Sequence, residues 1–139
     1  MRTLATLGAA AALTLTLLGP TPASAAPAIP LNGEQEPAAA DNDGHGFFAY
    51  DVDGTTFCYT LEWDDIDTAT AAHVHKAPRN VAGPVVIPLN IGDGSGAPVS
   101  ACREIDPSLA ADLAANPKAY YVNVHNAPFP PGAIRGQLK

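Results

Sequence analysis

Three histidines in this 139-residue chain have the residue type and spacing of metal ligands. His73 and His75 are separated by one residue in the stretch AAHVHK, and His125 follows later in YYVNVHN. Side chains on a β-strand alternate between faces, so His73 and His75 should point the same way with α-carbons ~6.6–6.8 Å apart. Two imidazoles from one strand and a third from a neighbouring strand can bind an ion and leave one position open for water or substrate. Because imidazole suits copper and zinc, the predicted cofactor is Cu or Zn.

Other polar residues are predicted to share the face that carries the histidines. Tyr121 and Asn123 alternate in phase with His125, and Arg135 and Gln137 alternate with apolar residues near the end of the chain. A metal-ligating histidine usually donates its second N–H to an oxygen, so Tyr121, Asn123 and Gln137 are predicted to form a second shell around the ligands. Arg135 is predicted to favour an anion at the open position.

An alternative interpretation needs no metal. The three histidines would then be neutral members of a hydrogen-bonded network that fixes the strand register, and Arg135 would brace it against a backbone carbonyl or a carboxylate. His45, in the polar stretch DNDGHG, is expected to be a solvated loop residue.

The elements that must position these residues are short strands. Asp53-Gly54, between two runs rich in aromatic and β-branched residues, predicts a hairpin. Asp106 as cap, Pro107 at the first position and Asn116-Pro117 as the stop predict one helix. The predicted strands cover residues 47–52, 55–63, 71–75, 83–89, 119–125 and 133–138, with a further short strand near residues 29–33. The expected fold is all-β, an antiparallel Greek-key-like sandwich or barrel with one short accessory helix.

The start of the chain resembles a targeting segment. Arg2, an apolar run over residues 4–18 and the small-residue site Ala23-Ser24-Ala25 predict a signal peptide over residues 1–25. The proline- and alanine-rich residues 26–43 are expected to be a flexible lead-in, and residues 44–139 to form the β domain. We therefore expect a secreted, extracellular protein.

The net charge of the chain narrows the classes of partner that it can bind. Cleavage after Ala25 would remove 25 of the 139 residues, and with them one base and no acid, so the net charge of −7 would become −8 over 114 residues. Such an acidic domain is a poor match for nucleic acid or a membrane surface, which leaves an unknown extracellular ligand or protein as the expected partner.

Cys58 and Cys102 are the only cysteines in a chain that is expected to be exported, so they predict a structural disulfide.

Three stretches of the chain resemble the chordin domain (CHRD) family, specifically its small secreted bacterial members. They are AAHVHK, GPVVIPL and NPKAYYVNVHNAPFPPGAIRGQL, together with the cysteine pair, and they extend over residues 46–138. Ala77 stands where a glycine is usual, and Asn126 replaces the common threonine. The resemblance implies an extracellular β-sandwich module, and it implies no settled activity.

The His-Val-His strand and the later histidine are also similar to the copper ligands of copper/zinc superoxide dismutase, itself a β-sandwich. Two hypotheses follow from the sequence. The first is a non-catalytic extracellular binding module that uses the histidine face, with or without a metal ion. The alternative is a copper- or zinc-dependent oxidoreductase acting on a small anion such as superoxide.

Overall fold

The computed structural model describes residues 27–139, and within this range the chain forms eight strands and one α-helix. The predicted signal peptide lies outside the described residues. The strands are β1 (Ile29–Asn32), β2 (His45–Asp53), β3 (Thr56–Asp64), β4 (Ala69–Lys76), β5 (Val85–Leu89), β6 (Val99–Glu104), β7 (Tyr120–Asn126) and β8 (Ile134–Gln137). The helix, α1, is Pro107–Ala115, and two short 3₁₀ turns occupy Gly33–Gln35 and Pro117–Ala119.

All eight strands belong to a single antiparallel sheet. Their order across the sheet is β5-β4-β7-β8-β1-β2-β3-β6, and the sheet curls into a half-barrel. The curvature brings the two edge strands close enough to interact. Arg103 on β6 donates a hydrogen bond to the carbonyl of Pro88 on β5. The all-β fold with one accessory helix, predicted from the strand pattern, is confirmed.

The inner face of the curled sheet carries the hydrophobic core. Alternation places one apolar face of each strand inside, as on β3, where Phe57, Tyr59, Leu61 and Trp63 are all buried. Helix α1 closes one end of this core with Leu113. Its start has the predicted cap, since the Asp106 carboxylate accepts a hydrogen bond from the backbone N–H of Ser108.

The flexible lead-in predicted for residues 26–43 is corrected for residues 29–35, which form strand β1 and a 3₁₀ turn. Strand β1 lies inside the sheet, where it pairs with β2 over four residues and meets β8 through Asn32 and Arg135. Ile29 and Leu31 alternate with Pro30 and are buried in the core, which explains why so short a strand is held. The short strand predicted near residues 29–33 is therefore a central part of the domain.

The predicted disulfide is present, and it joins the last two strands in the sheet order, whereas the histidines lie on the second and third. Cys58 on β3 and Cys102 on β6 are register partners, and their sulfurs lie 2.05 Å apart. The bond ties the edge strand to its neighbour. Among residues 27–139, no helix has the length and apolar character needed to cross a bilayer.

Candidate metal centre

The register between β4 and β7 brings the three histidines together on the outer face of the sheet. His73 lies opposite Asn123 and His75 opposite Tyr121, so His125 falls next to them along β7. Ring centroids are 5.0 Å apart for His73 and His125, 5.5 Å for His73 and His75, and 5.9 Å for His75 and His125. One nitrogen from each ring can be chosen so that all three lie within 4.8 Å of one another. The histidine cluster predicted from the sequence therefore exists.

Backbone carbonyls fix the ring orientation of two of these histidines. The Nδ1 atom of His75 lies 2.8 Å from the carbonyl oxygen of Gly83, and that of His125 lies 2.9 Å from the carbonyl oxygen of Pro130. A carbonyl can only accept, so each Nδ1 carries the proton and each Nε2 presents a lone pair. This is the arrangement of a metal-ligating histidine and its oxygen partner.

His73 completes the cluster through its contact with His125. Its Nδ1 atom lies 3.0 Å from the Nε2 atom of His125, and it donates to that lone pair when no ion is bound. Two nitrogens bound to one tetrahedral ion at 2.0–2.1 Å lie about 3.3–3.4 Å apart, so this pair is close to ligand spacing already. His73 is less buried than His75 and His125, which are 8% and 9% exposed, so the cluster opens to solvent on the His73 side.

Burial keeps the three imidazoles in the neutral form that binds metals. It lowers the pKa of His73, and the neighbouring His125 and His75 rings lower it further. Burial also lowers the pKa of His75 and of His125, against the opposing effect of their hydrogen bonds to Gly83 and Pro130. A nearby guanidinium, that of Arg135, adds to the lowering at His75.

Arg135 braces the loop that covers this face instead of facing an open ligand position. It is 0% exposed; its Nη1 donates to the carbonyl of Val81 at 2.9 Å, and its Nη2 donates to the carbonyl of Pro78 at 2.9 Å. The guanidinium also stacks on the Tyr121 ring, 3.3 Å from its centroid. Its Nη atoms are thus committed to the loop of residues 77–84, and the anion-binding role predicted for Arg135 does not fit. The bracing role of the alternative interpretation does.

Tyr121 and Gln137 also hold the 77–84 loop. The Tyr121 ring stacks on His75 with centroids 4.8 Å apart, and its hydroxyl accepts a hydrogen bond from the backbone N–H of Gly83 at 3.2 Å. Gln137 donates to the carbonyls of Ala77 and Lys118. Tyr121 and Gln137 therefore position the loop. The N–H groups of His75 and His125, which were expected to bond side chains such as these, donate to backbone carbonyls instead.

Three contributors to the site could not be predicted from the sequence pattern. The carbonyls of Gly83 and Pro130 carry no residue-type signal, and only the prolines nearby mark their loops as constrained. Glu36 lies in the segment expected to be flexible, yet its Oε1 is 3.4 Å from the Nδ2 of Asn123. Burial raises the pKa of Glu36, against the lowering effects of the Asn123 hydrogen bond and the Arg135 charge.

The family model of the CHRD domain matches residues 28–138. The chain belongs to the CHRD family. The match begins at β1, so this CHRD domain includes the strand that the sequence pattern left in the lead-in. No curated protein and no solved structure matches, and nothing supports the likeness to superoxide dismutase.

His45 of this CHRD domain lies apart from the cluster. It begins β2, its side chain is 54% exposed, and its Nδ1 lies 3.7 Å from a carboxylate oxygen of Asp65. The solvated side chain predicted for His45 is observed, although in a strand and not in a loop. His45 therefore offers an exposed histidine for comparison with the three clustered ones.

Proposed function

We propose that this CHRD domain is a secreted, extracellular binding module that holds one copper or zinc ion through His73, His75 and His125. The observation that carries the proposal is the orientation of the rings. Carbonyls fix the Nδ1 protons of His75 and His125, so their Nε2 lone pairs face a nitrogen of His73, and an ion would take the place of the proton between His73 Nδ1 and His125 Nε2. The family, the disulfide and the predicted signal peptide support an extracellular location.

The donor atoms favour a borderline transition metal. Three neutral imidazoles suit Cu and Zn, whereas Ca²⁺ and Mg²⁺ prefer oxygen ligands. The net charge of −7 helps to draw a cation towards the protein. Since the three ligands come from two paired strands of a rigid sheet, little ordering is required when the ion binds.

The proposed module also binds an extracellular ligand or protein through the surface next to the metal centre. The polar face of β4, β7 and β8 lies beneath the 77–84 loop, so a large partner would meet the loop before the strands. Val81 at the tip of this loop is 49% exposed while its carbonyl is held by Arg135. Such a rigid, partly apolar tip is a suitable contact surface.

Two measurements on the chelator-treated protein test the proposal: calorimetric titration with the ion gives the stoichiometry, and thermal unfolding gives the melting temperature. We expect one Zn²⁺ or Cu²⁺ per chain, and a rise in melting temperature that reflects roughly 2.7 kcal/mol of stabilisation when the free ion is at about 100 times its Kd. His73→Ala should abolish binding, and His45→Ala should leave it unchanged. Absence of binding to the wild type, or equal loss in both variants, would overturn the proposal.

A further inference from the structure

The amide group of Asn123 has a fixed orientation beside the histidines. Its Nδ2 lies 3.4 Å from the Glu36 carboxylate and 3.3 Å from the carbonyl oxygen of Pro131. Both partners can only accept while Glu36 is ionised, so the NH₂ group must face them and Oδ1 must face away. Gly132 makes room for this pair, because a Cβ there would lie 2.1 Å from Glu36 Oε1 and 2.8 Å from Asn123 Nδ2.

The Oδ1 atom of Asn123 is a buried acceptor for which the described residues supply no donor. Asn123 is 1% exposed, and its Oδ1 makes no hydrogen bond within residues 27–139. Arg135 lies opposite Asn123 on β8, but its Nη atoms donate to the 77–84 loop and its Nε makes no hydrogen bond with Oδ1. Buried polar groups are rarely left without a partner.

A second buried acceptor without a partner lies next to it. The Asn123 side chain lies within reach of the His75 ring, because a hydrogen bond from the protonated ring to Asn123 acts to raise the pKa of His75 against the lowering effect of burial. In the neutral ring, the Nε2 of His75 makes no hydrogen bond to the described protein. With its proton on Nδ1, neutral His75 can only accept at Nε2, so the two atoms cannot satisfy each other. An ion on Nε2 would satisfy His75 and would leave Asn123 Oδ1 in need of an O–H or N–H donor.

We infer that the bound ion carries a water molecule in its fourth position, and that Asn123 Oδ1 accepts a hydrogen bond from this water. The inference rests on the proposed function, since it requires the ion. Asn123 is then a positioning residue, held in place by Glu36, and it acts on whatever ligand takes the open position.

This arrangement selects a class of exchangeable ligand. A small molecule that carries a proton on or next to its coordinating atom, such as water, an alcohol or a hydroperoxide, can bind the ion and donate to Oδ1 together. An anion without a proton, such as azide, meets only the lone pairs of Oδ1. Asn123 should therefore favour water over azide at the ion.

The test uses the full chain loaded with Cu²⁺ and compares wild type, Asn123→Leu and Asn126→Leu. Asn126 is as buried as Asn123. Because side chains alternate along β7, Asn126 lies on the face opposite to His125 and Asn123, so its variant controls for lost stability. Pulsed electron–nuclear spectroscopy in H₂O and D₂O should show an exchangeable proton of a copper-bound water in the wild type. Optical titration should show azide binding roughly two- to tenfold more tightly to Asn123→Leu than to wild type, the effect of losing one hydrogen bond to the competing water.

The outcomes separate this inference from the proposed function. Stoichiometric copper without an exchangeable water proton, or with equal azide affinity in wild type and Asn123→Leu, would overturn the water ligand and leave the metal site standing. Failure of the wild type to bind copper would overturn both. Should Asn123→Leu fail to fold, Asn123→Asp keeps the size and the acceptor, and we expect it to keep the water and weaken azide binding; azide binding as tight as or tighter than in wild type would contradict the inference.

Discussion

The Nδ1 atom of His73 lies 3.0 Å from the Nε2 atom of His125, although 52 positions separate the two residues in the chain. The contact depends on the pairing of β4 with β7, which places Ala71 opposite His125 and His73 opposite Asn123. A shift of one residue in this register would move every histidine on one strand to the core face. The strand pairing and the candidate metal centre are therefore one feature of the fold.

The stability of the metal-free protein should fall below about pH 6.5. Burial lowers the pKa of His75 and His125 in the folded state, so the unfolded chain takes up these protons first as the pH decreases. We expect the free energy of unfolding in urea to be level from pH 8 to pH 7 and to decline from about pH 6.5 towards pH 5.5.

Variants identify the source of this decline. His75→Phe keeps a ring against Tyr121 and should make the decline smaller. Glu36 works in the opposite direction, because burial raises its pKa. An equal decline in wild type and His75→Phe would show that the clustered histidines are not its cause.

Arg135→Lys should destabilise the domain by about 2–4 kcal/mol, because an ammonium group cannot donate to both Pro78 and Val81 in place of the planar guanidinium. Arg79→Ala, an exposed change in the same loop, should alter the free energy of unfolding by less than about 0.5 kcal/mol. Urea denaturation measures both. Equal stability of the two variants would contradict the bracing role of Arg135.

Removal of the disulfide should weaken the fold and spare the metal centre. The Cys58–Cys102 bond closes a separation of 44 residues, which the chain-entropy model values at about 4 kcal/mol. The double Cys→Ser variant should lose about this much free energy of unfolding and still bind one ion, because three strands, β8, β1 and β2, separate β3 from β7 in the sheet. Loss of the ion from a variant that still folds would show that the centre depends on the disulfide.

Gly132→Ala should disturb Asn123 through Glu36. Gly132 has φ +153°, and a Cβ there would collide with the Glu36 carboxylate. Gly54→Ala is the matched control: φ is +60° and no atom lies within 4 Å of the added Cβ. Both changes should cost about 1–3 kcal/mol of backbone strain. Only Gly132→Ala should also tighten azide binding to the copper-loaded protein, and an equal azide affinity in both variants would count against the role of Glu36.

The strand patterns predicted much of the site because alternation is a local property. In AAHVHK and YYVNVHN an apolar residue stands between polar ones, so the shared face of His73, His75, His125 and Asn123 could be predicted from the sequence. The cover over that face could not be predicted, since it consists of carbonyls in the 77–84 loop and near Pro130. Strand β1 was underestimated because four residues with a proline give a weak pattern, and Glu36 was missed with it.

Anomalous diffraction at the zinc edge, from crystals of the zinc-loaded protein, tests directly whether His73, His75 and His125 bind one ion. We expect one peak per chain, at roughly 2.0–2.1 Å from one ring nitrogen each of His73, His75 and His125. A peak bound instead by surface carboxylates, or no peak after loading at neutral pH, would contradict the proposed metal centre.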